Sequence, residues 1–216
     1  GFPPRAEVVR VRATQPTVSA ARSEGRRSAR DLWSMSRALA APDLDCLLFP
    51  TVYSFVPVFS RARKIVIIHD IIPEQFPEHV FPTAAGRLNW RLKSLVARRQ
   101  ADLILTVSDY SRRAILEYFH ERPERVLVVG EAPDPVFRML EQPASAPGRL
   151  LVYVGGFSPH KNLLGLLEAL AAVLGRPGMD DVRLVLVGDH LTDAFHSCYR
   201  EAVERAARPP LAGRVE

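Results

Sequence analysis

The chain has 216 residues, 47% of them apolar and 25% charged, with a formal net charge of +5. This balance is near the mean for globular proteins, so disorder is not the default and there is ample material for a core. At about 150 residues per domain, the length allows one large domain or about one and a half ordinary ones, and the second is expected here.

Strand-like runs bounded by turn or polar residues recur at 8–11, 45–49, 64–68, 102–107, 125–129, 150–154 and 182–187. Several are apolar almost throughout, as strands buried on both faces should be. Between them lie stretches of helical period. Leu88, Leu92, Leu95 and Val96 form one stripe. Leu163, Leu166, Leu167, Leu170, Val173 and Leu174 form a second, and Phe195, Cys198, Tyr199, Ala202 and Ala206 a third. Alternating strands and helices predict an α/β fold with parallel sheets.

Pro133, Pro135, Pro143, Pro147 and Gly148 crowd the stretch after Glu131, where proline can neither donate to a ladder nor allow helix just before it. A linker is expected there, with a Rossmann-like domain at 1–140 and the beginning of a second at 141–216. Each has fewer than the five or six strands of a doubly wound sheet, so both are expected to be incomplete and the chain to be a fragment.

The longest apolar run, Cys46 to Phe59, is broken by Pro50 and Pro57 and falls short of the roughly 20 residues of a spanning helix. Gly1-Phe2-Pro3-Pro4 does not open like a secretory signal. Cys46 and Cys198 sit in contexts that suit reduced, packed thiols, which points to the cytoplasm. The excess positive charge is almost wholly arginine. It reads first as solvated surface and is compatible with phosphate-bearing substrates or an anionic membrane. Arg87, Arg91, Lys93, Arg98 and Arg99 fill the polar side of an amphipathic segment, which leaves a peripheral position on the inner face of the membrane open.

Two segments carry chemistry. In Leu150-Leu151-Val152-Tyr153-Val154-Gly155-Gly156-Phe157-Ser158-Pro159-His160-Lys161-Asn162-Leu163, a strand ends in two glycines and a short loop leads into a leucine-striped helix. Ligands of open α/β sheets bind beyond the carboxyl ends of strands, and a helix N-terminus offers N–H groups to an anion. Gly155 and Gly156 allow close backbone approach to a phosphate. Ser158 is the expected N-cap and Pro159 the first helical residue, which puts Lys161 in the first turn. A cation there opposes the helix dipole, a conflict that a bound pyrophosphate removes; an exposed lysine at a plain strand-loop-helix corner is the competing reading.

In Lys64-Ile65-Val66-Ile67-Ile68-His69-Asp70-Ile71-Ile72-Pro73, an apolar strand delivers His69 and Asp70 at its carboxyl end. A third segment, Ala101-Asp102-Leu103-Ile104-Leu105-Thr106-Val107-Ser108-Asp109-Tyr110-Ser111, pairs a strand with a helix that Ser108 or Asp109 can cap. Gly188 and Asp189, after the second strand of the C-terminal half, are candidate cleft-lining residues, as is Ser108, although a turn accounts for the first two equally well. His79, His120, His190 and His196 lack metal-ligand spacing with acidic partners, so no metal is expected. There is no nucleophile elbow and no P-loop.

The glycine-lysine segment, with the histidine and serine segments before it, resembles the retaining glycosyltransferases of GT-B fold often called family four. The matches span about residues 45–187 in the family's order. The resemblance implies that Gly155, Gly156, Lys161 and Asn162 bind the donor diphosphate and that His69 lies beside the transferred sugar, with Asp70 as the acid of a His-Asp pair. Many members carry an arginine where this chain has Gly156 or His160. The family's paired glutamates are expected beyond Glu216 and its glycine-rich acceptor loop before Gly1. The implied activity is transfer of a hexose from a nucleoside diphosphate sugar to a saccharide or lipid-linked hydroxyl acceptor, with retention and without a cofactor or nucleic-acid partner. A nucleotide-sugar epimerase of the same architecture and a noncatalytic scaffold are the alternatives.

Overall fold

The computed structural model describes residues 8–12, 14, 28–41, 43–139, 148–189 and 197–216. They divide into two compact units: Gly1–Gln75 with Thr83–Glu131, and Phe76–Pro82 with Ala132–Glu216. The expected boundary at 140/141 lies outside the described residues, as do Phe195, His190 and His196.

In the first unit, helix α1 (Ala29–Ala40) starts where the Ser28 hydroxyl accepts from the Asp31 N–H. Asp31 is buried because its carboxylate accepts from both the N–H and the hydroxyl of Thr14, at 2.9 and 2.6 Å. Four strands follow, β1 (Cys46–Phe49), β2 (Arg63–Ile67), β3 (Leu103–Thr106) and β4 (Val126–Val128). They pair in that order, all parallel, with Leu48 opposite Ile65 and Ile104 opposite Val126. Between β2 and β3 come the short helices α2 (Ile72–Gln75) and α3 (Pro77–Val80) and the long α4 (Ala84–Gln100), capped by Thr83; α5 (Asp109–Phe119) joins β3 to β4. α3 falls in the second unit.

Each strand lies within a residue of its predicted bounds, except that residues 8–11 form no strand and Val8 and Val9 stand exposed. A run of β-branched residues becomes a strand only where a ladder partner is at hand. Burial on both faces does not hold either. β1 and β3 alternate, burying Leu47, Phe49, Ile104 and Thr106 while Leu48 stays exposed, so the sheet packs tightly on one face. Cys46 is exposed for the same reason of alternation, whereas Cys198 is buried, and both thiols are free.

Helix α4 overturns a second expectation. It buries Gly86, Trp90, Ser94 and Ala97, and the leucine stripe faces outward. Small residues let the helix approach the unit closely, and the Trp90 indole N–H donates to the Glu74 carboxylate at 2.8 Å. Satisfying that buried pair sets the helix's rotation. Arg98 and Arg125 in turn clamp Glu121, at 3.0 and 2.7 Å.

The second unit contains β5 (Arg149–Val154), α6 (Leu163–Leu174), β6 (Val182–Val187) and α7 (Tyr199–Ala206). β5 and β6 are parallel over all six residues. The final residues begin a third line beside β6: Val215 bridges Leu184 in parallel, and Leu184 N–H donates to Arg214 carbonyl at 2.8 Å. The core gathers Phe157, Leu163, Leu167, Leu170, Val182, Leu184, Cys198, Ala202 and Leu211. The second predicted stripe thus packs inward on α6. Burying each such leucine contributes roughly 1.5–3 kcal/mol before the entropy of ordering it.

Candidate functional site

In the second unit, β5 ends at Val154 and the chain turns through Gly155 and Gly156. The Tyr153 hydroxyl donates to the Gly156 carbonyl at 2.6 Å, which pins the turn from beneath. Gly188, after the neighbouring β6, is the residue that allows this: a Cβ there would come within 2.1 Å of the Gly155 carbonyl oxygen. The close approach of two backbones at the strand ends requires glycine at 188. Gly188 also lines an apolar cavity of about 440 Å³ with Phe157, Leu186, Tyr199 and Val215. Asp189 follows it at the exposed end of β6.

The predicted start of the helix is corrected by the structure. Pro159–Lys161 forms a separate 3-10 turn, Ser158 is buried without a capping bond, and α6 begins only at Leu163. Asn162 separates the two in the left-handed conformation, with φ 53° and ψ 40°. Asparagine tolerates that region better than most residues, and this break displaces Lys161 out of the first helical turn. Lys161 therefore stands just ahead of the helix N-terminus. It is exposed, and no carboxylate among the described residues pairs with it. No side chain caps α6, whose first N–H groups have no intrahelical partners. An exposed cation beside open helix N–H groups is suited to hold an anion.

In the first unit, β2 ends at Ile67 and Ile68 N–H still donates to the Leu105 carbonyl at 2.9 Å. His69 comes next, half-buried at the carboxyl edge of the sheet, with its Nε2 3.7 Å from Glu131 Oε1. Glu131 is a contact the sequence reading missed. Its signal was position, since it follows β4 at the same edge of a parallel sheet. Asp70 turns to its own backbone, accepting from the Ile72 N–H at 2.9 Å. That is an Asx turn opening α2. Ser108 likewise acts as the cap of α5, its hydroxyl accepting from the Ser111 N–H at 3.1 Å.

Behind this edge, burial pushes the Glu74 carboxyl above the usual range, and nearby Asp70 adds to the rise; hydrogen bonds from Trp90 and Ser94 oppose it. Burial first, and then the charges of Asp70 and Glu74, push the Tyr53 phenol up as well. Among the described residues, no group of three or more His, Cys, Asp or Glu side chains is placed to hold a metal ion. Nor is any described helix long and apolar enough to cross a membrane.

Two units built on parallel sheets, each with its polar loop beyond the carboxyl ends of the strands, define an α/β fold of the GT-B type. The solved crystal structure of TarM superposes with a TM-score of 0.62 at 11% identity, covering 86% of this chain and 35% of that one. In sequence, the chain is 30% identical over 117 residues to the O-antigen chain mannosyltransferase B of Escherichia coli, a stretch that covers 50% of this chain and 30% of that protein. The chain thus spans about a third of the length of these relatives. No protein-family model matches it.

Proposed function

We propose that this chain is part of a glycosyltransferase that moves a hexose from a nucleoside diphosphate sugar to a hydroxyl acceptor, with retention of configuration. The observation that carries the reading is Lys161, exposed and without an ion-pair partner among the described residues, beside the uncapped start of α6. The mannosyltransferase likeness supports the reaction class and makes nucleotide-activated mannose, with a saccharide or lipid-linked acceptor, the first pair to try.

In this reading the bond between the anomeric carbon and the diphosphate oxygen breaks, and its electron pair leaves with the nucleoside diphosphate. Lys161 and the N–H groups of α6 stabilise that developing charge, with Gly155, Gly156 and Asn162 shaping the loop around it. The acceptor hydroxyl oxygen forms the new bond to the same carbon, and its proton passes to the departing diphosphate. His69 orients the sugar. Asp70 contributes through the turn it closes. No metal or cofactor is invoked, because the lysine and the helix supply the charge compensation.

The test is to incubate the intact protein with a panel of nucleotide sugars and follow nucleoside diphosphate release with and without acceptor extracts. Release that requires acceptor is expected. Interconversion of sugars without an acceptor would identify an epimerase instead, and a folded protein that binds donor but releases nothing would mark a scaffold.

A further inference from the structure

The His69 imidazole makes no hydrogen bond among the described residues; Glu131 Oε1 stands 3.7 Å from its Nε2, beyond hydrogen-bond reach. Its placement therefore comes from the backbone on either side. Before it, the Ile68 N–H donates to the Leu105 carbonyl. After it, the chain closes on itself: Asp70 accepts from the Ile72 N–H, and the Ile71 carbonyl accepts from the N–H groups of Glu74 and Gln75 at 3.0 and 2.9 Å. Those bonds are internal to the turn, so they fix its shape and not where it lies. The buried Ile71 side chain adds apolar contact, which has no direction. The directional ties to neighbouring elements are made at Glu74. Its Oε1 accepts from the Trp90 indole N–H at 2.8 Å and from the Ser94 hydroxyl at 3.2 Å, and its backbone carbonyl accepts from the Tyr118 hydroxyl at 3.4 Å. Trp90 and Ser94 are four residues apart on the buried face of α4, with the Tyr53 ring packed 4.7 Å from the indole. Gln75 is the last residue before the chain leaves the first unit, and Thr83 is where it returns. The covalent chain gives the turn no short connection to α4, and Glu74 supplies one.

We propose that Glu74 is a positioning residue for His69: by accepting from Trp90 and Ser94 it fixes the turn that carries the histidine against α4, and so sets the imidazole for the transfer reaction. The proposal rests on the reading in which His69 orients the sugar. A group that handles a substrate must be held to about 0.5 Å, which hydrogen bonds behind it accomplish. Burial pushes the Glu74 carboxyl above its usual range, and the bonds from Trp90 and Ser94 oppose that rise. The neutral acid still accepts at Oε1, so the tie needs an oxygen and not a charge.

The experiment reads the intact protein in two ways: the His69 Cε1–H resonance in proton–carbon spectra, assigned with His69→Gln, and sugar transfer together with nucleoside diphosphate binding. Glu74→Ala should displace that resonance and lower kcat about 10- to 100-fold, while the Kd for the nucleoside diphosphate stays unchanged. Glu74→Gln keeps the accepting oxygen and should return the resonance to its place and kcat to within about threefold of wild type. Trp90→Phe keeps an aromatic ring and removes the donor, so it decides the matter if the alanine variant does not fold. It should displace the same resonance and lower kcat by a smaller factor, since Ser94 still donates. Three results would overturn the proposal: a His69 resonance that neither Glu74→Ala nor Trp90→Phe moves, a folded glutamine variant as impaired as the alanine one, or nucleotide binding that weakens in step with kcat. If the wild-type protein transfers no sugar, the glycosyltransferase reading fails and this role in transfer with it, while the resonance separately decides whether Glu74 fixes His69.

Discussion

The turn after β2 and the loop after β5 occupy equivalent places, each beyond the carboxyl end of a parallel strand, yet they treat their polar side chains differently. After β2 the protein answers its own carboxylate: Asp70 accepts from the Ile72 N–H, while His69 Nε2 lies 3.7 Å from Glu131 Oε1, too far for a hydrogen bond. After β5, Lys161 has no such partner among the described residues, and the helix behind it is uncapped. Groups that the fold satisfies are held for positioning, whereas a group left open awaits something from outside. In the proposed reading, the first turn is a pre-set surface and the second a receptor for charge.

The sharpest way to break this comparison is to remove both key side chains separately. Lys161→Ala should weaken binding of nucleoside diphosphates about 10- to 100-fold by titration calorimetry, because a charge-assisted contact is lost. Its thermal stability should change by less than about 0.5 kcal/mol, as for an unpaired surface residue. His69→Ala should instead leave nucleotide binding intact and lower turnover on the order of 100-fold. If the two variants exchange these phenotypes, the division between positioning and charge reception is wrong.

Next in size is Gly188→Ala, which forces a Cβ against the Gly155 carbonyl. Denaturant unfolding should show a loss of about 1–3 kcal/mol, and nucleotide binding should weaken with it because the loop must move. Asp70 sharpens the comparison from the other side. Asp70→Ala should cost about 0.5–2 kcal/mol, as loss of a cap does, and Asp70→Asn, which keeps the accepting oxygen, about 0.5 kcal/mol or less. A large loss of activity in the asparagine variant with stability intact would assign Asp70 a charge-dependent role beyond its turn.

The smallest effect concerns Glu74. Its folded carboxyl titrates above the ordinary value of 4.5, so the folded state holds its proton more tightly than the unfolded chain does. That contribution is complete below the ordinary value and is lost as pH rises through the raised one. Wild-type stability should thus fall across that window, and Glu74→Gln, which can still accept from Trp90 and Ser94, should flatten the decline in melting temperature against pH.

Much of the candidate site was legible from local pattern. Strand, paired glycines and leucine-striped helix are consecutive in the chain, so the loop that presents Lys161 could be located directly. The left-handed break at Asn162 was not legible, because the sequence Ser158-Pro159 satisfies the usual signature of a helix start one turn earlier. Glu131 was also missed. It meets His69 only because β2 and β4 end at one edge of the same sheet, and that pairing is a property of topology.

By itself the sequence determined the alternation of strands and helices, the pairing partners' approximate bounds and the inward stripe of α6, since apolar period is a local property that any matching partner can use. Which face of α4 turns inward was decided by tertiary structure alone. Both faces are competent to pack, and the choice fell to the one whose tryptophan finds a carboxylate and whose glycine, serine and alanine admit close contact. The leucines were left outside because burial depends on what a helix packs against, which no stretch of the helix itself encodes.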